Sequence, residues 1–185
     1  MQHFRSYGLI LALLVLSSVF CRAEDTICTQ EINTMVGKGT LVFESGNKVG
    51  KTDLVTYTCR GSGATFGNAG GGIVALMLPN NGDSVVTSRI TNLKQVQIRY
   101  TDNKSGTPDY LSGIVPTMQI KVSEDSLVWT NLTSSATHSA GIATVLLPDP
   151  GDYYISVRNT GSSKPIYIRT FEYTIQRCNC YQYHP

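Results

Sequence analysis

From about residue 40 onward, the chain consists of short segments in which apolar and polar residues alternate, separated by clusters of turn-forming residues. In one segment Val96, Ile98 and Tyr100 alternate with polar residues, and turn-forming residues fill 79–83 and 148–152. Successive side chains of a β-strand point to opposite faces of a sheet, so the alternation indicates strands with one face in a core and one in water. The pattern predicts an all-β chain of antiparallel strands.

Ten strands follow from this pattern, and two sheets packed through their apolar faces make a β-sandwich. The segment 24–37 stays open between strand and helix, and 102–117, with two glycines and two prolines, is predicted as a loop. The strands are expected near 40–43, 53–59, 72–78, 84–89, 95–101, 118–123, 127–132, 141–147, 153–159 and 166–176.

The last of these strands changes phase part-way along its length. Ile166 and Ile168 share one face, whereas the apolar alternation that begins at Phe171 falls on the opposite parity. One extra residue in a strand moves all later side chains to the other face. We therefore expect a β-bulge near Arg169 and Thr170.

The N-terminus carries an apolar run over residues 9–16, preceded by Arg5 and followed by a return of polarity. A run of this length is too short to span a bilayer but fits the core of an export signal. We predict a signal peptide over 1–23, a single β-sandwich domain over 24–180 and a C-terminal tail over 181–185, with no transmembrane segment. The protein is then secreted, periplasmic or on the cell surface.

Two processing events are compatible with the end of this signal. Cleavage after Ala23 places the small residues Cys21 and Ala23 at the positions that a signal peptidase reads. Lipidation of Cys21 is the alternative, although Phe20 stands where a bacterial lipid-attachment motif has a small residue.

The charge of the chain changes when the signal is removed. The formal net charge of the whole sequence is +2. Arg5 and Arg22 lie within the signal and all 13 acidic residues follow it, so 13 of the 15 basic residues balance them. A chain with no net charge argues against nucleic acid or an anionic membrane as the main partner, because both bind more strongly to proteins with an excess of positive charge.

Four cysteines follow the signal, namely Cys28, Cys59, Cys178 and Cys180. An even number in an exported chain predicts two disulfides. A bridge between the last two, which only one residue separates, is disfavoured. Two pairings remain open: Cys28 with Cys178 and Cys59 with Cys180, or the crossed pairing. The Cys-Asn-Cys spacing does not suit a zinc site, and we expect no metal.

The sequence contains no recognisable catalytic centre. The familiar hydrolase, metalloprotease and phosphate-binding motifs are absent. His138 lies in a Ser/Thr-rich loop and His184 next to the C-terminus, and the neighbouring carboxylates Glu124 and Asp125 fall in a predicted turn. We expect no catalytic residues and no cofactor, and keep a small polysaccharide lyase without these motifs as an alternative.

The polar faces of the strands supply candidate ligand-binding residues. Tyrosine rings offer an apolar plane to a sugar, and Arg, Lys or Gln side chains hydrogen-bond hydroxyls or carboxylates. Trp129 alternates with Leu127, which predicts a position in the core or in hairpin packing rather than a sugar platform. The candidate residues are Gln97, Arg99, Lys121, Tyr154, Arg158, Tyr167 and Arg169.

Over residues 65–176 the order of the strand motifs resembles the galactose-binding-like jelly-roll modules of secreted Bacteroidetes proteins and polysaccharide-degrading enzymes. Many of these modules carry an Ile-Asp-Asp-Ile-like segment in the final strand, whose carboxylates help to hold calcium. Here Ile168-Arg-Thr-Phe171 replaces it. The motifs are Ser88-Arg-Ile-Thr-Asn-Leu, Val96-Gln-Ile-Arg-Tyr, Ile120-Lys-Val-Ser-Glu-Asp-Ser-Leu-Val-Trp-Thr, Gly151-Asp-Tyr-Tyr-Ile-Ser-Val-Arg-Asn-Thr and Ile166-Tyr-Ile-Arg-Thr-Phe-Glu-Tyr.

The resemblance implies a jelly-roll fold and a role in glycan binding. We therefore predict an exported, non-catalytic carbohydrate-binding protein whose contact region is a sheet face or the loops 60–72 and 102–117. The alternative is a structural, protein-interaction or adhesion module of the cell surface, in which the tail 181–185 contacts a partner. The oligomeric state stays open.

Overall fold

The computed structural model describes residues 20–32, 42–44, 47–52, 54–68, 74–102, 117–133, 137–139, 141–161 and 164–181. Over these residues it assigns thirteen β-strands. They are β1 Phe20–Glu31, β2 Val42–Glu44, β3 Asn47–Lys51, β4 Thr56–Arg60, β5 Thr65–Asn68, β6 Val74–Leu78, β7 Ser84–Thr87, β8 Ile90–Thr101, β9 Met118–Ser123, β10 Thr130–Asn131, β11 Thr137–Ser139, β12 Ile142–Asn159 and β13 Ile166–Tyr181.

The chain divides into two compact units, Asp25–Gln176 and a smaller one of Met1–Glu24 with Arg177–Pro185. In the smaller unit the described residues are the first part of β1 and the last part of β13. The larger unit contains the remaining strands, the core and the surface discussed below. The predicted signal over 1–23 and the tail over 181–185 lie mostly outside the described residues.

The strands of the larger unit form two antiparallel sheets that share one strand. Sheet A has the order β5-β6-β13-β8-β12-β11, and sheet B has the order β2-β3-β4-β7-β12-β9-β10. In addition, β1 pairs with β13. Every strand pair whose register is defined is antiparallel, which confirms the predicted antiparallel all-β class.

The shared strand corrects the sequence prediction of two strands, 141–147 and 153–159, separated by a turn. The structure has one strand, β12, whose first part pairs with β8 in sheet A and whose last part pairs with β7 and β9 in sheet B. Its register shifts between Leu146 and Gly151. Pro148 and Pro150 lack the N–H group of a regular ladder and lie exposed in this irregular stretch, so they interrupt the ladder with β8 without ending the strand. The strand pairs with β8 again at Gly151 and Tyr153 and joins sheet B from Tyr154.

One hydrophobic core fills the space between the inner faces of the two sheets. The predicted inward residues Val96, Ile98 and Tyr100 of β8 are fully buried, and so are Ile120 of β9 and Val157 of β12. These residues come from both sheets and belong to one cluster, so the sheets pack face to face as a sandwich.

Three aromatic rings join the sheets inside this core. The Tyr57 and Phe171 ring centroids lie 5.0 Å apart, and those of Phe171 and Tyr173 lie 6.0 Å apart. The Tyr173 hydroxyl donates a hydrogen bond of 3.0 Å to the Tyr57 hydroxyl. Burial raises the pKa of both hydroxyls above the ordinary value of 10.0. Both therefore stay protonated at neutral pH and satisfy each other within the core.

The predicted β-bulge is present in β13. Ile168 pairs with Tyr100 and Thr170 pairs with Arg99, so Arg169 is the extra residue between two consecutive partners on β8. The bulge explains why Ile168 and Phe171, three positions apart, both face the core.

Other element predictions were incomplete. The strand pattern did not identify β3, β5 or β11, and the segment 24–37 proves to be a strand as far as Glu31. The strand predicted over 127–132 is only the two-residue β10, because the residues before it form a side-chain-stabilised turn. The predicted loop 102–117 lies almost entirely outside the described residues.

The predicted disulfides stay a prediction. Cys59 is buried in the core, Cys28 packs against it at intermediate exposure, and no disulfide is present among the residues that the structure describes. The side chains of Cys178 and Cys180 lie outside that part of the chain. Among the described residues, none belongs to a helix with the length and hydropathy of a membrane span.

Candidate functional site

An open groove of about 360 Å³ lies on the outer face of sheet B. It crosses four neighbouring strands, β4, β7, β12 and β9, and ends at the hairpin that follows β9. Its lining residues are Arg60, Gly82, Ser84, Val86, Gln119, Lys121, Trp129, Ser156 and Arg158.

The register of the strands arranges the side chains of the groove in two rows. Arg60 pairs with Ser84, Ser84 with Arg158, and Arg158 with Gln119. In the second row, Val86 pairs with Ser156 and Ser156 pairs with Lys121. Each of these residues alternates along its strand with core residues, so the sheet holds the polar groups in fixed positions facing outward.

Three cationic side chains dominate the electrostatics of the groove. Arg60 and Arg158 are exposed, Lys121 is half-buried, and no carboxylate is among the lining residues. Gly82 lies against one of these cations, since a Cβ atom on Gly82 would stand 3.4 Å from Nη2 of Arg158. Gly82 also adopts φ +94°, a conformation that favours glycine. The turn therefore leaves room for the Arg158 guanidinium.

Hydrogen bonds fix this turn to the end of β12. The buried Asp83 carboxylate accepts bonds from the Gly63 N–H (3.1 Å) and the Asn80 N–H (2.9 Å). The Asn159 carbonyl accepts a bond from the Gly82 N–H (2.8 Å), and the Asn159 N–H donates to the Asp83 carbonyl (2.9 Å). The edge of the groove beside Arg158 is thus part of a satisfied buried network and is held rigidly.

The hairpin at the other end of the groove is organised by Asp125. Its carboxylate accepts hydrogen bonds from the backbone N–H groups of Leu127 (2.8 Å) and Val128 (2.9 Å) and from the Ser123 hydroxyl (3.0 Å). These bonds lower the pKa of Asp125 below its ordinary value, and the bond from the Val128 N–H has the largest effect. The turn therefore depends on an ionised side chain.

Trp129 lies on this hairpin and lines the groove. Its Nε1–H donates to the Ser126 carbonyl (3.1 Å), and its side chain is half-exposed. The sequence prediction of core packing is wrong, whereas the prediction of packing within the hairpin is consistent with this bond. The alternation of Leu127 with Trp129 suggested that both side chains share a buried face. Leu127 is instead 82% exposed, because it lies in the turn organised by Asp125 and not in a strand.

Comparisons with known proteins leave the family of the chain open. No protein-family model matches the sequence, and no curated protein matches it. Among solved structures, a family two carbohydrate esterase from Cellvibrio japonicus is similar with a TM-score of 0.43 and 10% sequence identity. The similarity covers 88% of this chain but only 37% of the esterase chain. Similarity at this level assigns neither a family nor a function.

The structure separates the seven ligand-binding residues predicted from the sequence into four groups. Lys121 and Arg158 line the groove. Tyr154 is half-buried and follows the same alternation on β12 as Ser156, but it is not a lining residue. Gln97 and Arg99 lie on β8 in sheet A, at intermediate exposure, and so belong to a different surface.

Tyr167 and Arg169 are buried, which corrects the prediction that they project into water. Tyr167 packs in a small second cluster with Ala75 and Met77, so part of sheet A is covered on both faces. The Arg169 guanidinium has three nitrogens without a hydrogen-bond partner among the described residues. Burial lowers the pKa of Arg169. Alternation identifies which face a residue occupies, but it does not show whether that face meets solvent.

The candidate set missed the other lining residues of the groove, among them Arg60, Ser84 and Trp129. Arg60 continues the alternation of Thr56 and Thr58, so extending the predicted strand 53–59 by one residue would have marked it as outward-facing. No local signal brings Arg60 next to Ser84, because that contact depends on the pairing of β4 with β7. Within the described residues, no group of three or more His, Cys, Asp or Glu side chains is arranged to hold a metal ion.

Proposed function

We propose that the protein is a non-catalytic carbohydrate-binding protein and that the groove on sheet B is its ligand site. The observation that carries this proposal is the combination of Trp129 with Gln119, Lys121 and Arg158 on one open surface. An aromatic ring offers an apolar plane to a sugar ring, while amide and cationic groups make directed hydrogen bonds to hydroxyls. The lining combines the two kinds of contact that a glycan requires.

The rigidity of the groove also supports binding. Six of its polar residues project from paired strands, and Asp83 and Asp125 stabilise the turns at its two ends. Groups that are held in position before a ligand arrives lose little conformational freedom on binding.

The chemistry of the lining supports a non-catalytic role. The nine lining residues include no carboxylate, imidazole, thiol or phenol that would act as a general acid or base. Their only hydroxyls are those of Ser84 and Ser156. Lys121 lies opposite Ser156 in the strand register, but within the described residues no hydrogen bond joins the two side chains, as activation of a serine by a base requires. The proposal includes export from the cell, on the strength of the apolar run at 9–16 and the even number of cysteines after it.

A glycan array followed by calorimetry tests the proposal. We expect binding to at least one glycan class and a loss of affinity of about thirtyfold in Trp129→Ala, the order of the roughly 2 kcal/mol that truncation of an aromatic anchor costs. The matched control is Leu127→Ala, which changes the same hairpin at an exposed residue outside the groove and should bind normally. Absence of binding to every glycan would overturn the proposal.

A product assay tests the non-catalytic part separately. Glycans that bind should persist unchanged on long incubation, with no new reducing ends, unsaturated sugars or released acyl groups. Product that depends on protein concentration would identify an enzyme and would favour the lyase alternative or another hydrolytic activity.

One observation favours protein interaction at the cell surface as a second candidate function. Leu127 and Val128 are 82% and 73% exposed at the tip of the hairpin, and Asp125 holds the backbone beneath them. If this function is the main one, Leu127→Ser with Val128→Ser abolishes co-purification of a protein partner. Glycan binding at the groove would then be absent in the unmodified protein.

A further inference from the structure

The positive charges of the groove have no ion-pair partner among the described residues. Arg60, Lys121 and Arg158 line it, and no Asp or Glu does. The salt bridges found over the described part of the chain involve other cations, and none engages these three. Like charges held on one face repel one another, and a ligand of opposite charge lying between them removes that repulsion.

Two acidic residues near groove residues in the chain, Asp83 and Asp125, are engaged in turns. Glu124, also on the hairpin, is exposed and does not line the groove. Asp83 lies between Gly82 and Ser84, but each of its carboxylate oxygens accepts a backbone N–H. Asp125, on the hairpin, likewise accepts backbone N–H groups and a hydroxyl. Charge-assisted bonds of this kind hold the carboxylates in the turns. The groove cations stay available to an external anion.

The cations are spread across the sheet. Arg60 lies on β4, Arg158 on β12 and Lys121 on β9, with β7 between the first two strands. Neighbouring strands lie about 4.8 Å apart, so the backbones of β4 and β9 are separated by roughly 14 Å. A single small anion contacts only part of such a row. A polymer with negative groups on successive units is able to contact all of it.

We infer that the groove binds an acidic polysaccharide, whose sugar rings carry carboxylate or sulfate groups. This inference rests on the proposed function and narrows its ligand. Arginine matches the paired oxygens of either group with two parallel N–H bonds, and Lys121 adds a point charge. The whole sequence carries only +2. Nucleic acid and anionic membranes bind most strongly to proteins with a large overall excess of positive charge, which this sequence does not have.

Matched pairs of polymers separate the charge from the sugar backbone. Polygalacturonate is compared with its methyl-esterified form, and dextran sulfate with dextran. Because the chain contains a single Trp, fluorescence reports binding at Trp129 directly. We expect the charged member of at least one pair to bind at least about tenfold more tightly, and the preferred pair distinguishes carboxylate from sulfate. The preference should shrink as salt rises, because salt screens exposed charges.

Variants connect the preference to the groove. Arg158→Gln and Lys121→Gln should each weaken binding of the charged polymer by about tenfold without lowering Tm. Arg89→Gln removes an exposed arginine that does not line the groove, and it should bind like the unmodified protein. Trp129→Ala lacks the fluorophore and is measured by calorimetry; it should weaken both members of a pair by a similar factor, because stacking does not depend on the charge.

The outcomes separate the inference from the proposed function. Binding to neutral glycans only, or equal binding within a pair, overturns the inference and leaves the proposed function in place. Absence of binding to every glycan overturns both. Equally tight binding to polyphosphate or single-stranded DNA identifies a general polyanion site and overturns the inference. An equal loss of affinity in Arg89→Gln does the same.

Discussion

Arg169 is a buried cation at the centre of a β-bulge. The residue is 7% exposed, and its guanidinium nitrogens find no hydrogen-bond partner among the described residues. A buried charge without a partner is costly, because the interior does not replace the hydration that it loses. The bulge itself is encoded by the phase change in the sequence, whereas the burial of its side chain is not.

Replacement of Arg169 by methionine should stabilise the protein. Arg169→Met removes the charge and keeps an unbranched apolar stem, so we expect the free energy of unfolding to rise by about 1–3 kcal/mol. Urea denaturation measures this change. The surface control Arg89→Met should lie within about 0.5 kcal/mol of the unmodified protein. A comparable destabilisation by Arg169→Met would show that the guanidinium is held by a partner.

The hydroxyl pair of Tyr57 and Tyr173 supports a second prediction. Tyr57→Phe leaves the Tyr173 hydroxyl buried without its acceptor, which should lower the free energy of unfolding by about 1–3 kcal/mol. The double variant with Tyr173→Phe should cost less than the sum of the two single variants, because it removes both polar groups. Full additivity in this double-mutant cycle would contradict the hydrogen bond.

The same pair should make the fold sensitive to alkali. The pKa of each hydroxyl is raised in the folded state, so its contribution to stability is fully present below the ordinary value of 10.0 and is lost as the pH rises beyond it. Tm should therefore fall above pH 10, and the decline should be smaller in the double Phe variant.

At the scale of single elements, the hairpin between β9 and β10 should respond to acid. The pKa of Asp125 is depressed in the folded state, so the turn is stabilised above the ordinary pKa of 3.8 and loses that stabilisation as the pH falls through the lower folded value. The emission of Trp129 should stay constant from pH 7 to about pH 4 and change below that range, while the far-UV signal of the sheets persists.

Two variants on the same turn check the source of the acid response. Asp125→Ala removes the acceptor, so its Trp129 emission should already be altered at pH 7 and should show no acid step. Glu124→Ala removes the neighbouring exposed carboxyl and should keep the step. Retention of the step in Asp125→Ala would assign it to another group.

Period-two alternation predicted single strands well and their connections less well. The bounds 118–123 agree with β9, and the inward residues of β8 are those expected from the alternation. The strand prediction failed at β12, where prolines that look like a turn lie inside one strand. A turn motif and an irregular strand share the same residue types, and only the partners on both sides decide between them.

At the scale of the whole molecule, the site was only half predictable. Lys121 and Arg158 follow from alternation along their own strands, because outward positions can be read locally. Arg60 joins them only through the pairing of β4 with β7 and of β7 with β12, which are separate segments of the sequence. Trp129 comes near Lys121 through the local pairing of β10 with β9. The burial of Tyr167 depends on the side chains that pack around it on sheet A, and alternation within a strand does not predict such packing.

The four cysteines after the predicted signal support a prediction for the whole protein. Mass spectrometry of protein exported through an oxidising compartment should find no free thiols. Reduction should then lower the free energy of unfolding by about 2–4 kcal/mol for each bridge. Two or more free thiols in the native protein would contradict both the disulfides and the export on which they depend.

The passage of β12 from one sheet to the other has a mechanical consequence. In a sandwich whose sheets meet only through loops and side chains, a pulling force that separates the layers acts on weak contacts. Here Ile142–Asn159 is one continuous strand paired in both sheets. Tension between the layers is therefore carried by the covalent backbone at Tyr153 and Tyr154, where the pairing with β8 ends and the pairing with β9 begins.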